Sequence, residues 1–394
     1  MADSKIRVCR DDDMKLNEIC EVYSGYALKA FNDAEDGFPV IKIGNIFMDG
    51  TLNLEECQYT TDGVNEKYYS QRGHIYIALS GATTGKIGIM DASEKYVINQ
   101  RVGIVRQKSD DIPQEYIKYF LLRQTDRILQ EAAGCAQPNI SPRQIAEYVV
   151  PDTSQEKMQE ICEVLDRIKK IIDSRKVQIS ALDNLIKARF VEMFGDPVAN
   201  EKGWTTKPLL DMGKCKNGMN FHYDDKGIEI NCLGVGDFKN LSIIDNTEEL
   251  PTILLNEMPS EEYLLKDDDI VFVRSNGNKA LVGRSLAVYP GDVPTTFSGF
   301  CIRYRKHDNE ITVPYLLRVL KTDSMRMKMA GRGANIQNLN QQILGTLVIP
   351  VPPVELQNQF AAFVTEVNKS KVKVQKALDE TQKLFDSLMQ QYFG

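Results

Sequence analysis

The chain has 394 residues and carries 48 Lys and Arg against 55 Asp and Glu, a length typical of two or three domains. No apolar run is long enough to cross a membrane, and residues 1–13 lack the apolar core of an export signal. These features argue against a membrane protein and predict a cytoplasmic one. The net charge of −7 gives no overall sign of nucleic-acid binding.

Cysteine and histidine spacing speaks against metal chemistry. The 8 Cys include no pair with the close spacing that zinc sites require. The 3 His lie in separate segments and form no HExxH motif. We therefore expect no metal site in this chain.

The two halves of the chain resemble each other at a constant offset. From residue 112 to the end of each half, the two copies align at an offset of 199 residues without a gap. Upstream the match continues after small shifts, so that Gly25 corresponds to Gly218. An ordered series of this length indicates an internal duplication. The matching pairs include Tyr116 and Tyr315, Asn139 and Asn338, and Phe194 and Phe393.

Each copy contains a globular part and a helical part. Short β-rich runs mixed with helix-like segments predict an α+β fold class, with two tandem α/β domains separated by two long helices. Thr153 and Glu156 form a predicted capping box at the start of the first long helix, and Gly195 is a stop signal. The predicted segments are a tail at 1–13, a first domain at 14–152, a first spacer helix at 153–195, a linker at 196–204, a second domain at 205–352 and a second spacer helix at 353–394.

The long helices carry an apolar stripe. Apolar residues recur at intervals of three and four through about five heptads, the pattern of helices that pack on one another. We predict an antiparallel coiled coil with a pseudo-twofold axis; the alternative is that each stripe packs on its own domain. Polar residues, among them Arg175 and Lys371, interrupt the seam. The predicted seam consists of Ile161, Leu165, Ile168, Ile172, Ile179, Leu182, Ile186, Phe360, Val364, Val367, Val374, Leu378, Phe385 and Leu388.

Two segments resemble a known family. Leu185 to Pro197 reads LIKARFVEMFGDP, and Pro352 to Phe360 reads PPVELQNQF. Both resemble the helical spacer regions of specificity (S) subunits of type I restriction–modification systems. The resemblance covers almost the whole chain, including the end of the first domain before Pro151.

The resemblance implies a function and partners. In that family, each target-recognition domain reads one half of a bipartite double-stranded DNA site, and the helices set the spacing and dock two modification (methyltransferase) subunits. Restriction (translocase/nuclease) subunits join this core. S-adenosylmethionine and ATP with Mg are implied for those partners, and no cofactor is implied for this chain. The chain itself is expected to be non-catalytic, and it lacks the GxxxxGK[ST] loop of NTP hydrolysis.

Reading DNA requires side chains that reach base edges: Arg and Lys suit guanine, and Asn and Gln suit adenine. Two Gly-rich segments occur in equivalent places of both copies, 80–86 with 274–279 and 134–139 with 331–338. The alternative is that their Gly and Asn only mark turns that need positive φ. Domains that read different half-sites should differ at base-reading positions, which favours Arg274 opposite Leu79. The predicted DNA-binding residues are Thr83, Thr84, Lys86, Gln137, Asn139, Arg274, Asn276, Asn278, Lys279, Arg332, Asn335 and Asn338.

Two further alternatives stay open. Residues 301–350 are locally basic, and such a cluster either binds phosphate or forms a solvated face. The chain could also be a coiled-coil scaffold that displays two ligand-binding domains without binding DNA. The scaffold suits the acidic net charge but does not explain the two family-like segments.

Overall fold

The computed structural model describes residues 14–133, 138–221, 227–238, 243–330 and 338–394. No helix in these ranges combines the length and apolar character needed to cross a membrane. The chain forms two compact units. Unit 1 comprises the described residues up to Lys176 together with Lys376–Gly394, and unit 2 comprises Val177–Gln375.

The elements of the first copy alternate short strands with short helices before one long helix. The strands are β1 Met14–Lys15, β2 Cys20–Ser24, β3 Phe38–Ile41, β4 Gln58–Thr60, β5 Ile75–Ala78, β6 Ile87–Ile89, β7 Val97–Ile98, β8 Val102–Gln107 and β9 Val149–Val150. The α-helices are α1 Leu16–Ile19, α2 Gln114–Arg123, α3 Thr125–Ala132, α4 Pro142–Ala146 and α5 Gln155–Phe194. Single 3-10 turns lie at Ile43–Asn45 and Glu66–Tyr68.

Unit 1 is built on an antiparallel sheet with the strand order β2-β8-β5-β6. Every residue of β5 is buried, because this strand lies inside the sheet and both of its faces are covered. A second sheet has the order β4-β3-β7 with β3 and β7 parallel, and β1 pairs with β9. Helix α2 packs Tyr116 and Phe120 into the core beside Ile75 and Ile77.

The second copy has the same alternation. Its strands are β10 Thr206–Pro208, β11 Gly213–Asn217, β12 Ile228–Leu233, β13 Ile243–Ile244, β14 Thr252–Leu255, β15 Asp269–Val273, β16 Ser285–Val288, β17 Thr295–Phe297, β18 Cys301–Lys306 and β19 Val348–Pro350. Its α-helices are α6 Val313–Leu320, α7 Asp323–Ala330, α8 Gln341–Gly345 and α9 Val354–Phe393. Its 3-10 turns are Leu209–Asp211, Val235–Phe238 and Glu261–Tyr263.

Unit 2 repeats the sheet order of unit 1 and extends it by one strand. Its main sheet has the order β11-β18-β15-β16-β13, its second sheet has the order β14-β12-β17, and β10 pairs with β19. Individual bonds repeat as well. Ser141 caps α4 and Asn340, 199 residues later, caps α8. The Tyr116 hydroxyl donates to the Pro151 carbonyl at 2.9 Å, and the Tyr315 hydroxyl donates to the Pro350 carbonyl at 3.0 Å.

Helices α5 and α9 each have 40 residues, about 60 Å at about 1.5 Å per residue, and they pack together within each unit. In unit 2, Asp183 lies beside Lys371 and Phe190 lies beside Phe360. The residue number rises along one helix as it falls along the other, so the two helices run antiparallel. All of the predicted seam residues are buried or half-buried.

The polar residues that interrupt the seam have partners across it. In unit 1, Arg175 donates to the Ala377 carbonyl and, at 2.9 Å, to the Thr381 hydroxyl. In unit 2, the Lys371 ammonium lies 2.7 and 2.8 Å from the two carboxylate oxygens of Asp183. Polar pairs of this kind hold two helices in one register, because any shift leaves their charges unsatisfied.

The ends of the long helices pack on globular domains. In unit 2, the Phe194 ring meets Tyr315 at a centroid distance of 4.7 Å, and in unit 1 Phe393 meets Tyr116 at 5.0 Å. These helix ends therefore pack on the domain of the other copy. The beginnings of the helices pack on their own domains, since Ile161 shares a core with Tyr116 and Phe360 shares one with Tyr315, so both alternatives for the apolar stripe hold in part. The compact units divide the chain differently from the predicted segments, because each unit takes half of each long helix.

Two equivalent glycines allow backbone to approach backbone. A Cβ at Gly25 would lie 2.3 Å from the Ile98 carbonyl oxygen, and a Cβ at Gly218 would lie 2.0 Å from that of Ser298. We expect Gly25→Ala and Gly218→Ala each to lower the free energy of unfolding of its unit by about 1–3 kcal/mol, measured by denaturant titration. Gly44→Ala is the control, because its Cβ would meet nothing within 4 Å. If both variants unfold at the same denaturant concentration as the wild type, this explanation of the two glycines is contradicted.

Candidate nucleic-acid interface

The two predicted DNA-reading segments of the first copy lie side by side in unit 1. The loop from Ser80 follows β5, and Ser80 forms a β-bridge with Asn139. The Gly81 N–H donates to the Pro138 carbonyl at 3.1 Å, and the Ile140 N–H donates to the Leu79 carbonyl at 2.9 Å. The structure thus joins segments that are far apart in sequence. The predicted Gln137 lies outside the described residues.

The four remaining predicted residues of unit 1 differ in what they expose. Thr84 is 3% exposed, and its hydroxyl donates to the Gly81 carbonyl at 2.7 Å. The loop itself therefore uses this hydroxyl, and Thr84 supports the loop's shape. Thr83 and Lys86 are half-buried, whereas Asn139 is exposed. For these residues DNA contact stays a prediction.

In unit 2 the structure describes one equivalent bond, at the end of the second segment. The Leu339 N–H donates to the Arg274 carbonyl at 2.8 Å, the counterpart of the Ile140 bond to Leu79. Asn338 is exposed and adjoins this bond. Arg332 and Asn335, both predicted DNA-binding residues, lie outside the described residues.

The loop after Arg274 is shaped by its own asparagines. The Asn276 side-chain oxygen accepts from the Asn278 N–H at 2.8 Å, and the Asn278 side-chain oxygen accepts from the Ala280 N–H at 3.1 Å. Both amide NH2 groups can still donate to a ligand. Asn278 and Lys279 are exposed, and Asn276 is half-buried. This loop presents donors and a cation to solvent, the chemistry that base edges and phosphates require.

Glycine and asparagine play different parts in these loops. Gly81 and Gly85 both have φ of +82°, so the turn interpretation holds for them. Asn139, Asn276 and Asn278 have no positive φ. Positive φ therefore does not account for these asparagines; the side-chain bonds that shape the loop account for Asn276 and Asn278.

The basic stretch 301–350 does not form a single solvated face. Arg303 is 6% exposed, and Arg305 forms a two-bond ion pair with buried Asp269, with both distances at 2.7 Å. Lys321 is half-buried, and burial lowers its pKa to about 8, assisted by the nearby charge of Arg318. Much of this positive charge is structural, so the predicted solvated or phosphate-binding face is wrong for these residues.

His74 stands at the position in unit 1 that Asp269 occupies in unit 2. Burial, together with the positive charge of Arg106, lowers the pKa of His74 from 6.5 to about 4. The unfolded chain therefore binds this proton more readily than the folded one. We expect the free energy of unfolding of unit 1 to be undiminished above about pH 6.5 and to fall as the pH drops towards 4. The free energy of unfolding, measured at a series of pH values, should depend less steeply on pH for His74→Asn than for the wild type. An equal dependence on pH would contradict this prediction.

Comparison with known proteins agrees with this architecture. The model of the type I restriction modification DNA specificity domain family matches residues 12–183 and 201–381. The StySPI specificity subunit of a type I restriction enzyme from Salmonella potsdam is 24% identical over 399 residues, which cover 93% of this chain and 84% of that protein.

Two solved structures share the fold over nearly the full length. The S subunit of a type I restriction-modification system from M. genitalium covers 97% of this chain and 96% of its own, with a TM-score of 0.53 at 16% identity. A chain from work on complex assembly and conformational transition of the type I R-M system covers 97% of both chains, with a TM-score of 0.58 at 14% identity. The two family matches together span most of the sequence. The chain therefore belongs to the family of type I restriction modification DNA specificity proteins, and it is a subunit that recognises DNA sequence.

Proposed function

We propose that the two domains each read one half of a bipartite double-stranded DNA site. The observation that carries this is a framework whose equivalent backbone bonds recur around loops whose residues differ. Leu79 and Arg274 make equivalent backbone bonds, yet Leu79 is buried in the core of unit 1 whereas Arg274 is a half-buried cation. Phosphate contacts and framework hold a reader in place, whereas differing side chains select bases.

The paired helices set the distance between the half-sites and dock two modification subunits. The chain contributes recognition only, while the modification subunits bring S-adenosylmethionine and restriction subunits use ATP and Mg. The Arg175 and Lys371 pairs support a fixed register, which a spacer of constant length requires. A scaffold that displays two domains without binding DNA does not account for the match to a DNA specificity family.

Methylation mapping tests the proposal directly. The chain purified with its modification subunits should methylate adenines only within one split motif of a random-sequence library, and a footprint should protect both halves. Its affinity should fall steeply with added salt, because phosphate contacts release counterions. Uniform weak binding to all sequences, without methylation at any split motif, would overturn the proposal.

Shortening both helices tests the spacer. Deleting residues 171–184 and 370–383 removes two heptads from each helix together with both polar pairs. The seam keeps its register, and the helices shorten by about 21 Å, the length of about six base pairs. We expect the same two half-sites at a shorter separation. Removing only residues 171–184 is the control, because the mismatched helices should lose specific methylation.

A further inference from the structure

One turn is the same in both units down to its side-chain bond. In unit 1 it joins β7 to β8, and the Asn99 side-chain oxygen accepts from the Arg101 N–H at 3.1 Å. In unit 2 it joins β17 to β18, and the Ser298 hydroxyl oxygen accepts from the Phe300 N–H at 3.3 Å. The next residue along donates back to the Asn99 carbonyl at 2.9 Å and to the Ser298 carbonyl at 2.8 Å. The turns therefore hold residues 101 and 300 in the same conformation.

In each unit, a glycine at the end of the neighbouring strand also packs closely against the turn. The N–H of Gly25 donates to the Val102 carbonyl at 2.9 Å, and the N–H of Gly218 donates to the Cys301 carbonyl at 3.0 Å. Neither glycine has room for a Cβ. A turn packed this closely on a neighbouring strand presents its outward side chain from a rigid support, which favours precise recognition.

Each turn adjoins the predicted DNA-reading loop of its unit. The Leu79 N–H donates to the Arg101 carbonyl at 2.9 Å, and the Arg274 N–H donates to the Phe300 carbonyl at 2.7 Å. The Arg274 guanidinium also donates to the Gly299 carbonyl at 3.3 Å. Turn and loop are thus parts of one surface, although residues 99–101 are not Gly-rich and carried no sequence signal for DNA binding.

The outward side chains of the two turns differ completely in chemistry. Arg101 is exposed, and Phe300 is 62% exposed. An aromatic ring held in solvent on a rigid turn gains nothing from burial within its unit. Equivalent backbone bonds with different exposed side chains are what two readers of different half-sites need at a base-contacting position.

We propose that this turn is a further base-reading element of each domain, with Arg101 contacting the edge of a guanine in one half-site and Phe300 contacting a thymine methyl group in the other. Arginine matches the two acceptors of guanine, and phenylalanine offers an apolar contact to the thymine methyl group. The inference rests on the proposed bipartite function and adds two specificity-determining residues to it.

The test uses the complete complex with its modification subunits and a library that varies each position of both half-sites. Arg101→Ala should lower the methylation rate at the wild-type site about tenfold and relax one guanine position in one half-site only. Phe300→Ala should relax one thymine position in the other half-site only. Because the untouched half-site is still read, each variant carries its own measure of correct folding.

Two control variants match the changes in chemistry. Arg72→Ala removes an exposed arginine at the opposite end of β5, and Leu254→Ala removes a 47% exposed apolar side chain on β14. Both should keep the wild-type motif and rate.

The outcomes separate this inference from the function on which it rests. If the wild-type complex shows no bipartite motif, the proposed function fails. If the motif is present but Arg101→Ala and Phe300→Ala read every base as the wild type does, the inference fails. If Arg101→Ala instead weakens binding equally on all sequences and lowers the salt slope by about one, Arg101 is a phosphate contact and its base-reading role is overturned.

Discussion

Phe393→Ala should lower the free energy of unfolding of unit 1 by about 3–5 kcal/mol, the usual cost of removing a buried aromatic side chain. The Phe393 ring is 3% exposed and lies edge-on to Tyr116 and Phe120 at centroid distances of 5.0 and 6.4 Å. Its loss leaves a cavity where the last turn of α9 meets α2, in the core of a domain that began far earlier in the chain. Hydrogen exchange should show the loss of protection in α2.

The loss of protection should be confined to unit 1. Amide protons of β15, in unit 2, should keep their wild-type exchange rates when Phe393 is truncated. Leu384→Ala on the same helix is the control, because Leu384 is 51% exposed and its truncation should change stability by less than about 0.5 kcal/mol. A loss of protection in β15 without a loss in α2 would contradict the assignment of the α9 end to unit 1.

Asp269→Ala should destabilise unit 2 by about 3–5 kcal/mol, because removing one partner of a buried ion pair leaves the other charge uncompensated. The Asp269 carboxylate is fully buried and accepts from the Arg305 guanidinium through both oxygens at 2.7 Å. It also lies 3.9 Å from the Arg303 guanidinium, whose pKa burial lowers. Denaturant unfolding of the full chain, followed by exchange in β15 and β18, measures the loss.

Four further variants distinguish lost charge from a general loss of packing. Asp269→Asn keeps the shape and loses the charge, so it should destabilise less than Asp269→Ala but clearly more than the surface control Asp292→Ala. Adding Arg305→Ala to Asp269→Ala should cost less than the sum of the two single changes, because the second charge is then gone as well. Strictly additive effects would show that the pair is not coupled.

Local patterns in the sequence identified the elements that depend on local chemistry. The seam residues of α5 and α9 are buried or half-buried, because a stripe at intervals of three and four is apolar on one helix face in any context. The loops after Leu79 and Arg274 were found from glycine and asparagine, whose turn chemistry is equally local. The constant offset of 199 residues identified the duplication, and the repeated caps Ser141 and Asn340 follow from it.

Other features depended on which distant segments meet. The sequence predicted a surface cluster of basic residues near Arg303, but the Arg303 and Arg305 side chains lie against buried Asp269. Thr84 was predicted to contact DNA, and that contact stays a prediction; its hydroxyl also lies 3.3 Å from the Pro138 carbonyl of a distant segment. Arg101 and Phe300 gave no local signal, since their significance lies in the backbone bonds that their carbonyls accept from Leu79 and Arg274.

The sequence by itself determined that one framework occurs twice, that each copy ends in a long amphipathic helix and that the loops of the two copies differ. The tertiary structure alone decided that each helix ends on the domain of the other copy, with Phe194 against Tyr315 and Phe393 against Tyr116. The two copies carry the same aromatic residues, so the sequence is equally compatible with a helix that folds back on its own domain. The antiparallel seam decides between the two arrangements. Polar pairs such as Asp183 and Lys371 fix the partner and direction of each helix, and each helix therefore ends at the domain of the other copy.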